Sequence, residues 1–128
     1  MYKIITYGTF DVLHYGHIYL LQRAKALGDH LTVGVSSDEF NKVKGKTVYL
    51  SLDERIHLLS QLKCVDEIIV ENSWEQKIDD VEKNKIDMFC IGDDWVGQFD
   101  FLSKYCAVRY LQRTPKISSS LIKGAAIL

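Results

Sequence analysis

Apolar positions along this chain follow two alternating rhythms. Ile4-Ile5-Thr6-Tyr7 is a compact run that stops at Gly8, and it reads as a buried strand. From about Gly16 to Leu27 the rhythm becomes helical, with Leu20, Leu21, Ala24 and Leu27 on one face and Gly28-Asp29 as the stop. Leu31 to Val35 is a second strand, and Ser36 with Glu39 fits a capping box that opens a short helix. Lys42 to Tyr49 has no period and reads as an exposed loop, with Lys42, Lys44 and Lys46 around Gly45. Ser51 with Glu54 is a further capping box, ahead of a helix carrying Leu52, Ile56, Leu59 and Leu62. Glu67 to Val70 is a third strand, and Ser73 with Gln76 opens a helix that turns Ile78 and Val81 inward. Asp87 to Gly92 and Ala107 to Leu111 are the fourth and fifth strands. Ser118-Ser119-Ser120 starts a last helix with Leu121, Ile122 and Ala125.

Strands that alternate with helices in this way call for an α/β fold, a doubly wound parallel sheet of five strands with right-handed connections. No linker, repeat or low-complexity tract interrupts the pattern, so residues 1–128 read as one domain. In such sheets ligands bind beyond the carboxyl ends of the strands, where the strand order reverses. Those ends are Gly8-Thr9, Ser36-Ser37, Gly92-Asp93 and Gln112-Arg113.

Composition narrows the function classes. The chain is 47% apolar with a formal net charge of −1, which excludes wholesale disorder and the basic footprint of a duplex-binding protein. No nucleic-acid partner is expected. The three cysteines, Cys64, Cys90 and Cys106, form no CxxC pair and read as buried thiols of a reducing compartment. The N-terminus reads as a strand and not a signal peptide, and no stretch reaches membrane-spanning length. A cytoplasmic protein without membrane insertion is the expectation.

The chemistry concentrates in Gly8-Thr9-Phe10-Asp11-Val12-Leu13-His14-Tyr15-Gly16-His17, between the first strand and the first helix. A helix start offers unpaired N–H groups and the positive end of the helix dipole, a ready site for phosphate. Gly8 and Gly16 let the backbone approach a phosphate closely. His14 and His17, three residues apart, face one ligand across a helical turn. The segment holds neither GxGxxG nor GxxxxGK[ST]. A metal site built on the two histidines with Asp11 as third ligand is the competing reading of the same residues. Asp11 is equally at home as a turn residue that caps the loop.

Gly8 to His17 resembles the GxFDxxHxGH signature of the HxGH nucleotidyltransferases. Their second signature, RTxGIS[TS]T, is similar to Arg113-Thr114-Pro115-Lys116-Ile117-Ser118-Ser119-Ser120, so the resemblance spans nearly the whole chain. Within that group the chain looks most like the cytidylyltransferases that act on glycerol 3-phosphate. Lys44 and Lys46, Asp53-Glu54-Arg55, Trp74-Glu75-Gln76-Lys77, Gly92-Asp93-Asp94-Trp95 and Phe99-Asp100-Phe101-Leu102 carry that likeness. Lys116 stands where the family usually has glycine, and Lys63 stands where arginine is expected.

The resemblance implies a Rossmann-like nucleotidyltransferase fold and direct in-line transfer. A phosphate oxygen of glycerol 3-phosphate attacks the α-phosphorus of CTP, and pyrophosphate leaves. The implied catalytic residues are His14, His17, Lys44 and Arg113. The implied nucleotide site is Gly8, Thr9, Phe10, Asp11, His14, Gly16, His17, Asp94, Arg113, Thr114, Ile117, Ser118, Ser119 and Ser120. The acceptor would meet Lys44, Lys46, Arg55, Lys63, Trp74 and Lys77. Mg²⁺ would bridge the triphosphate, with Asp11 helping to hold it or to orient Lys44. The resemblance further implies a homodimer and a product used for teichoic acid or capsular polymers. Ethanolamine phosphate, choline phosphate or a sugar phosphate as acceptor, ATP as donor, and a nucleotide-binding module without turnover are the rival readings.

Overall fold

The computed structural model describes residues 1–112. Within them the chain runs β1 Lys3–Gly8, α1 Tyr15–Ala26, β2 His30–Ser36, α2 Asp38–Val43, α3 Leu52–Ser60, β3 Glu67–Glu71, α4 Gln76–Lys83, β4 Met88–Gly92 and β5 Ala107–Leu111. Two short 3₁₀ segments, Asp93–Trp95 and Asp100–Lys104, lie between β4 and β5. The sheet has the order β3-β2-β1-β4-β5, and every neighbouring pair is parallel. The chain builds outward from β1 to β3 on one side and then returns to β4 and β5 on the other. The switch in strand order therefore falls between β1 and β4, where a ligand crevice belongs.

Side-chain alternation along β1 explains the layers. Ile4 faces one side with Leu31, Val33, Val35 and Cys90, packed under Leu21 and Ala24 of α1 and Leu59 of α3. Ile5 and Tyr7 face the other side with Phe89 and Ile91, packed under Val81 of α4 and under Phe99 and Leu102. Burial of each such aliphatic or aromatic side chain stabilises the fold by roughly 1.5–3 kcal/mol. At Gly34 of β2 an added Cβ would come within 2.3 Å of the Tyr7 ring, so glycine here lets that ring lie flat across the sheet.

Several local expectations hold in detail. Ser51 and Glu54 form a reciprocal capping box at α3, and β5 spans Ala107–Leu111 as anticipated. Others shift by a residue or two. Ser37, not Ser36, caps α2 by accepting the Phe40 N–H at 3.0 Å. Ser36 stays in β2, paired with Glu71 of β3 and buried. Gln76 reaches back to accept the Ser73 N–H at 3.1 Å. The Ser73 hydroxyl makes no cap, because α4 starts at Gln76 behind an N-cap Glu75 that has no side-chain bond. The helix expected after Ser120 lies outside the described residues.

The three cysteines are free thiols. Burial pushes Cys90 up to about 12, and it raises Cys64 and Cys106 as well. No described helix is long and apolar enough to cross a membrane.

Candidate active site

The turn from β1 to α1 departs from ordinary backbone. Phe10 and Val12 adopt φ of 55° and 49°. For a β-branched residue such as Val12 that is a true outlier, a cost of about 1–3 kcal/mol that surrounding contacts must offset. Those contacts are visible. The Phe10 ring is buried and meets His17 edge-on, with centroids 5.5 Å apart. A Cβ on Gly8 would stand 2.8 Å from the Phe10 ring, so glycine is required for this packing. Asp11 is buried, and its two carboxylate oxygens accept the N–H groups of Tyr49 at 2.8 Å and Leu50 at 3.0 Å. The residue thus ties the loop after α2 to the turn.

His14 and His17 cap α1 with each other. His14 is the N-cap, and its Nδ1 accepts the Gly16 N–H at 3.0 Å. His17 occupies the third helical position, and its Nδ1 accepts the His14 N–H at 3.3 Å. The rings stack with centroids 4.0 Å apart. A ring whose Nδ1 accepts a hydrogen bond carries its proton on Nε2, so the network assigns both histidines as Nε2–H donors. The sequence reading placed the two rings on one face. The reciprocal cap adds the reason that both present a donor, at the end of a helix whose dipole attracts anions. Thr9 closes the turn on the β2 side, with its hydroxyl 3.1 Å from that of Ser36 and bonded to the Asn41 side-chain oxygen at 3.3 Å.

Arg55 takes a part different from the expected one. It is fully buried, and its donors go to the protein. Nε reaches the Leu50 carbonyl at 3.1 Å. Nη1 reaches the carbonyls of Thr9 at 3.0 Å and Ser36 at 2.7 Å. Nη2 pairs with Asp38 at 2.8 Å. Arg55 bolts the turn, the end of β2 and the loop after α2 together. Lys63 also departs from expectation. It is exposed and lies beyond the C-terminal end of α3, whose start is at the ligand edge. A nine-residue helix spans about 14 Å, which carries Lys63 toward the opposite edge of the sheet.

Lys44, Trp74 and Lys77 gather at the C-terminal ends of β2 and β3. Lys77 is buried and ion-paired with Glu71, the last residue of β3, which is buried too. Its Nζ lies 4.8 Å from the Tyr7 ring centroid, 5.2 Å from that of Trp74 and 5.2 Å from that of Phe99. Tyr7 donates to Asp80 at 2.7 Å. Burial, that bond and the charges of Asp80 and Glu71 push its phenol far above the ordinary value, so it remains neutral. Lys44 Nζ sits 4.8 Å from the Phe40 centroid, 5.9 Å from that of Trp74 and 3.5 Å from Thr9 Oγ1. Burial, then the charges of Lys46, Lys77 and Arg55, lower it to about 8 against the opposing pull of Glu71.

Lys46 is exposed and lines a cleft of about 320 Å³ with Asp38, Tyr49, Leu50 and Ser51. Asp94 is exposed on the first 3₁₀ segment, at the carboxyl end of β4. Arg113, Thr114, Ile117, Ser118, Ser119 and Ser120 lie outside the described residues. Glu71, Tyr7 and Phe40 were not singled out from sequence, and Phe99 entered only as part of the family likeness. Only Glu71 carried a signal, as a carboxylate that ends a strand on the ligand edge.

Among the described residues no three His, Cys, Asp or Glu side chains cluster to ligate a metal. The donors that converge here are imidazole N–H groups and ammonium groups, a set suited to phosphate oxygens.

The comparisons with known proteins agree with this chemistry. A family described as cytidylyltransferase-like matches residues 5–125. The chain is 56% identical to a glycerol-3-phosphate cytidylyltransferase of Bacillus spizizenii, over 96% of this chain and 95% of that protein. It is 51% identical to the enzyme of the same name from Staphylococcus aureus, over 96% of this chain and 93% of that one. The fold is similar to that of a lipopolysaccharide core biosynthesis protein from Thermoplasma volcanium, with a TM-score of 0.80 and 29% identity, covering 89% of this chain and 98% of the other. A turn that presents paired imidazole donors, on a doubly wound parallel sheet matched almost from end to end, marks this chain as a member of the cytidylyltransferase-like family.

Proposed function

We propose that this chain is a glycerol-3-phosphate cytidylyltransferase. A phosphate oxygen of sn-glycerol 3-phosphate attacks the α-phosphorus of CTP, the bond to the β-phosphate breaks, and CDP-glycerol and pyrophosphate form. The observation that carries this reading is the reciprocal cap of His14 and His17, which presents two imidazole N–H donors at the start of α1. Donors fixed before the reaction stabilise charge as it develops on the transferring phosphoryl group. The chain needs no covalent intermediate, and catalysis rests on positioning and electrostatics. The relatives that are 51–56% identical to it are named glycerol-3-phosphate cytidylyltransferase, which supports the choice of acceptor.

Within this reading Lys44 and Lys77 receive the acceptor phosphate, Lys46 approaches from the cleft, and Asp94 stands where β4 delivers it to the ligand edge. Arg113 and Ser118 to Ser120 complete the nucleotide site. Mg²⁺ would be held by the triphosphate oxygens of CTP and by water, with no cluster of carboxylates of this chain needed, and would supply charge neutralisation there. Asp11 contributes by holding the turn and the loop after α2 together. A cytoplasmic homodimer supplying CDP-glycerol to teichoic acid or capsular polymer synthesis completes the proposal.

The test is pyrophosphate release with Mg²⁺, crossing CTP, ATP, GTP and UTP with glycerol 3-phosphate, ethanolamine phosphate, choline phosphate and sugar phosphates. Release confined to CTP with glycerol 3-phosphate is the expected result. Release with another acceptor overturns the acceptor, and no release with any pair overturns the reaction. Light scattering of the purified protein decides between monomer and dimer.

A further inference from the structure

Val12 holds left-handed backbone at φ 49°, and it branches at Cβ, the side-chain type that tolerates this region least. Such a residue relaxes to negative φ unless its surroundings hold it on both sides. Val12 is held on both sides. Before it stands Asp11, buried, whose carboxylate accepts the N–H groups of Tyr49 at 2.8 Å and Leu50 at 3.0 Å. That wall is itself fixed, because the Leu50 carbonyl accepts from Arg55 Nε at 3.1 Å and Ser51 caps α3. After it comes His14, separated from Val12 by Leu13 alone. His14 ends the extended approach to α1, at φ −138° and ψ 178°. Its carbonyl accepts the Ile18 N–H at 3.1 Å, and its Nδ1 accepts the Gly16 N–H at 3.0 Å.

Reversing the sign of one φ redirects all of the chain that follows, so the sign at Val12 decides how the chain enters α1. The stake is the N-cap. The bond from Gly16 N–H to His14 Nδ1 is what leaves the ring proton on Nε2. A turn relaxed at Val12 takes His14 off the cap and removes that donor. Glycine at this position would hold the same backbone at no steric cost. With valine there, the conformation lasts only while Asp11 keeps its grip, on residues 38 and 39 positions further along the chain.

We propose that a strained joint at Val12 couples the loop after α2 to the histidine pair: the grip of Asp11 on Tyr49 and Leu50 forces Val12 left-handed, and that conformation places His14 at the start of α1. This rests on the nucleotidyl-transfer reading given above. The joint acts through the histidine cap, on donors that serve the transferring phosphoryl group. Releasing it therefore lowers kcat and leaves the KM values for CTP and glycerol 3-phosphate little changed.

The experiment compares wild type, Asp11→Asn, Val12→Gly and the double variant. Asp11→Asn sets an amide NH₂ against one of the two backbone N–H groups and so weakens the grip. Pyrophosphate release gives kcat, and nitrogen NMR of the imidazoles reports which ring nitrogen carries the proton. Asp11→Asn lowers kcat by roughly ten- to a hundredfold, and His14 and His17 lose the Nε2–H pattern. Val12→Gly in that background restores the pattern and brings kcat back to within about threefold of wild type, because glycine keeps positive φ without the grip. A double variant no faster than Asp11→Asn overturns the proposal, as does Asp11→Asn with wild-type kcat. Val12→Gly alone slowed as much as Asp11→Asn overturns it too, since the valine side chain and not the strain would then matter. If Asp11→Asn does not fold, Val12→Gly is set against Val12→Ala. Glycine then gives the higher urea midpoint and the higher kcat, and the reverse order overturns the joint. Wild type that releases no pyrophosphate with any pair of substrates overturns the functional reading instead. The imidazole pattern then decides the joint alone: its loss in Asp11→Asn and return in the double variant support it, and an unchanged pattern overturns it.

Discussion

The turn after β1 and the lysine corner beside β2 and β3 both suit phosphate, and they achieve it by opposite means. The turn is local. Its working parts fall between Gly8 and His17, its rings are fixed by a reciprocal cap, and its backbone holds two left-handed residues. The lysine corner is assembled from distant segments. Lys44 follows α2, Trp74 precedes α4, Lys77 belongs to α4, and Tyr7 comes from β1. It works with full charges withdrawn from water, Lys77 wholly and Lys44 in part, among aromatic rings. The division matches the chemistry. Charge that develops during reaction is best met by donors that need not move, whereas an incoming dianion is captured by net charge.

Arg55 joins these regions, so its loss should break the comparison altogether. It bonds Thr9 of the turn and Leu50 and Asp38 of the opposite wall. Arg55→Met leaves the Thr9, Ser36 and Leu50 carbonyls without their donor, and should cost about 3–5 kcal/mol. Urea unfolding measures it, and a loss below about 1 kcal/mol would show that the bolt is dispensable.

The next largest effect separates the regions. His17→Ala should lower kcat by about a hundred- to a thousand-fold while the KM for glycerol 3-phosphate barely changes. The same variant loses half of the α1 cap, worth about 1 kcal/mol of stability, so the assay belongs well below its melting temperature. Full turnover would remove His17 from the mechanism.

The smallest effect reports on the lysine corner alone. Lys44 carries its proton below about pH 8 and loses it above. Burial lowers this value most, the charges of Lys46, Lys77 and Arg55 lower it further, and Glu71 raises it. A depressed ammonium pKa therefore places cationic binding on the acid side. kcat/KM for glycerol 3-phosphate should fall by roughly tenfold per pH unit above that point, as free-enzyme titration requires. A profile flat to pH 10 would mean that Lys44 is solvated.

How much of this was legible in the chain depends on distance along it. The Ser51–Glu54 cap needs only four consecutive residues, and sequence reading located it correctly. The cap of α2 was one residue off because β2 runs on to Ser36, a choice made by its pairing with Glu71. The 3₁₀ segments between β4 and β5 carry no periodic pattern and went unseen. Arg55 stood correctly at a helix start, but its burial follows from carbonyls at Thr9, Ser36 and Leu50. Lys63 follows Arg55 by only eight positions, yet α3 carries it away from the ligand edge.

The alternation of strand and helix, the turn after β1 and its two histidines are written in short-range terms, since backbone dihedrals and capping bonds link residues a few positions apart. The lysine corner is not. Whether an ammonium is solvated or caged depends on what lies over it, and Tyr7, Trp74 and Phe99 reach Lys77 from separate parts of the chain. Desolvation is a property of the packed neighbourhood, so only the folded arrangement of the strands could bring a lysine after α2 and a lysine of α4 to one aromatic cluster.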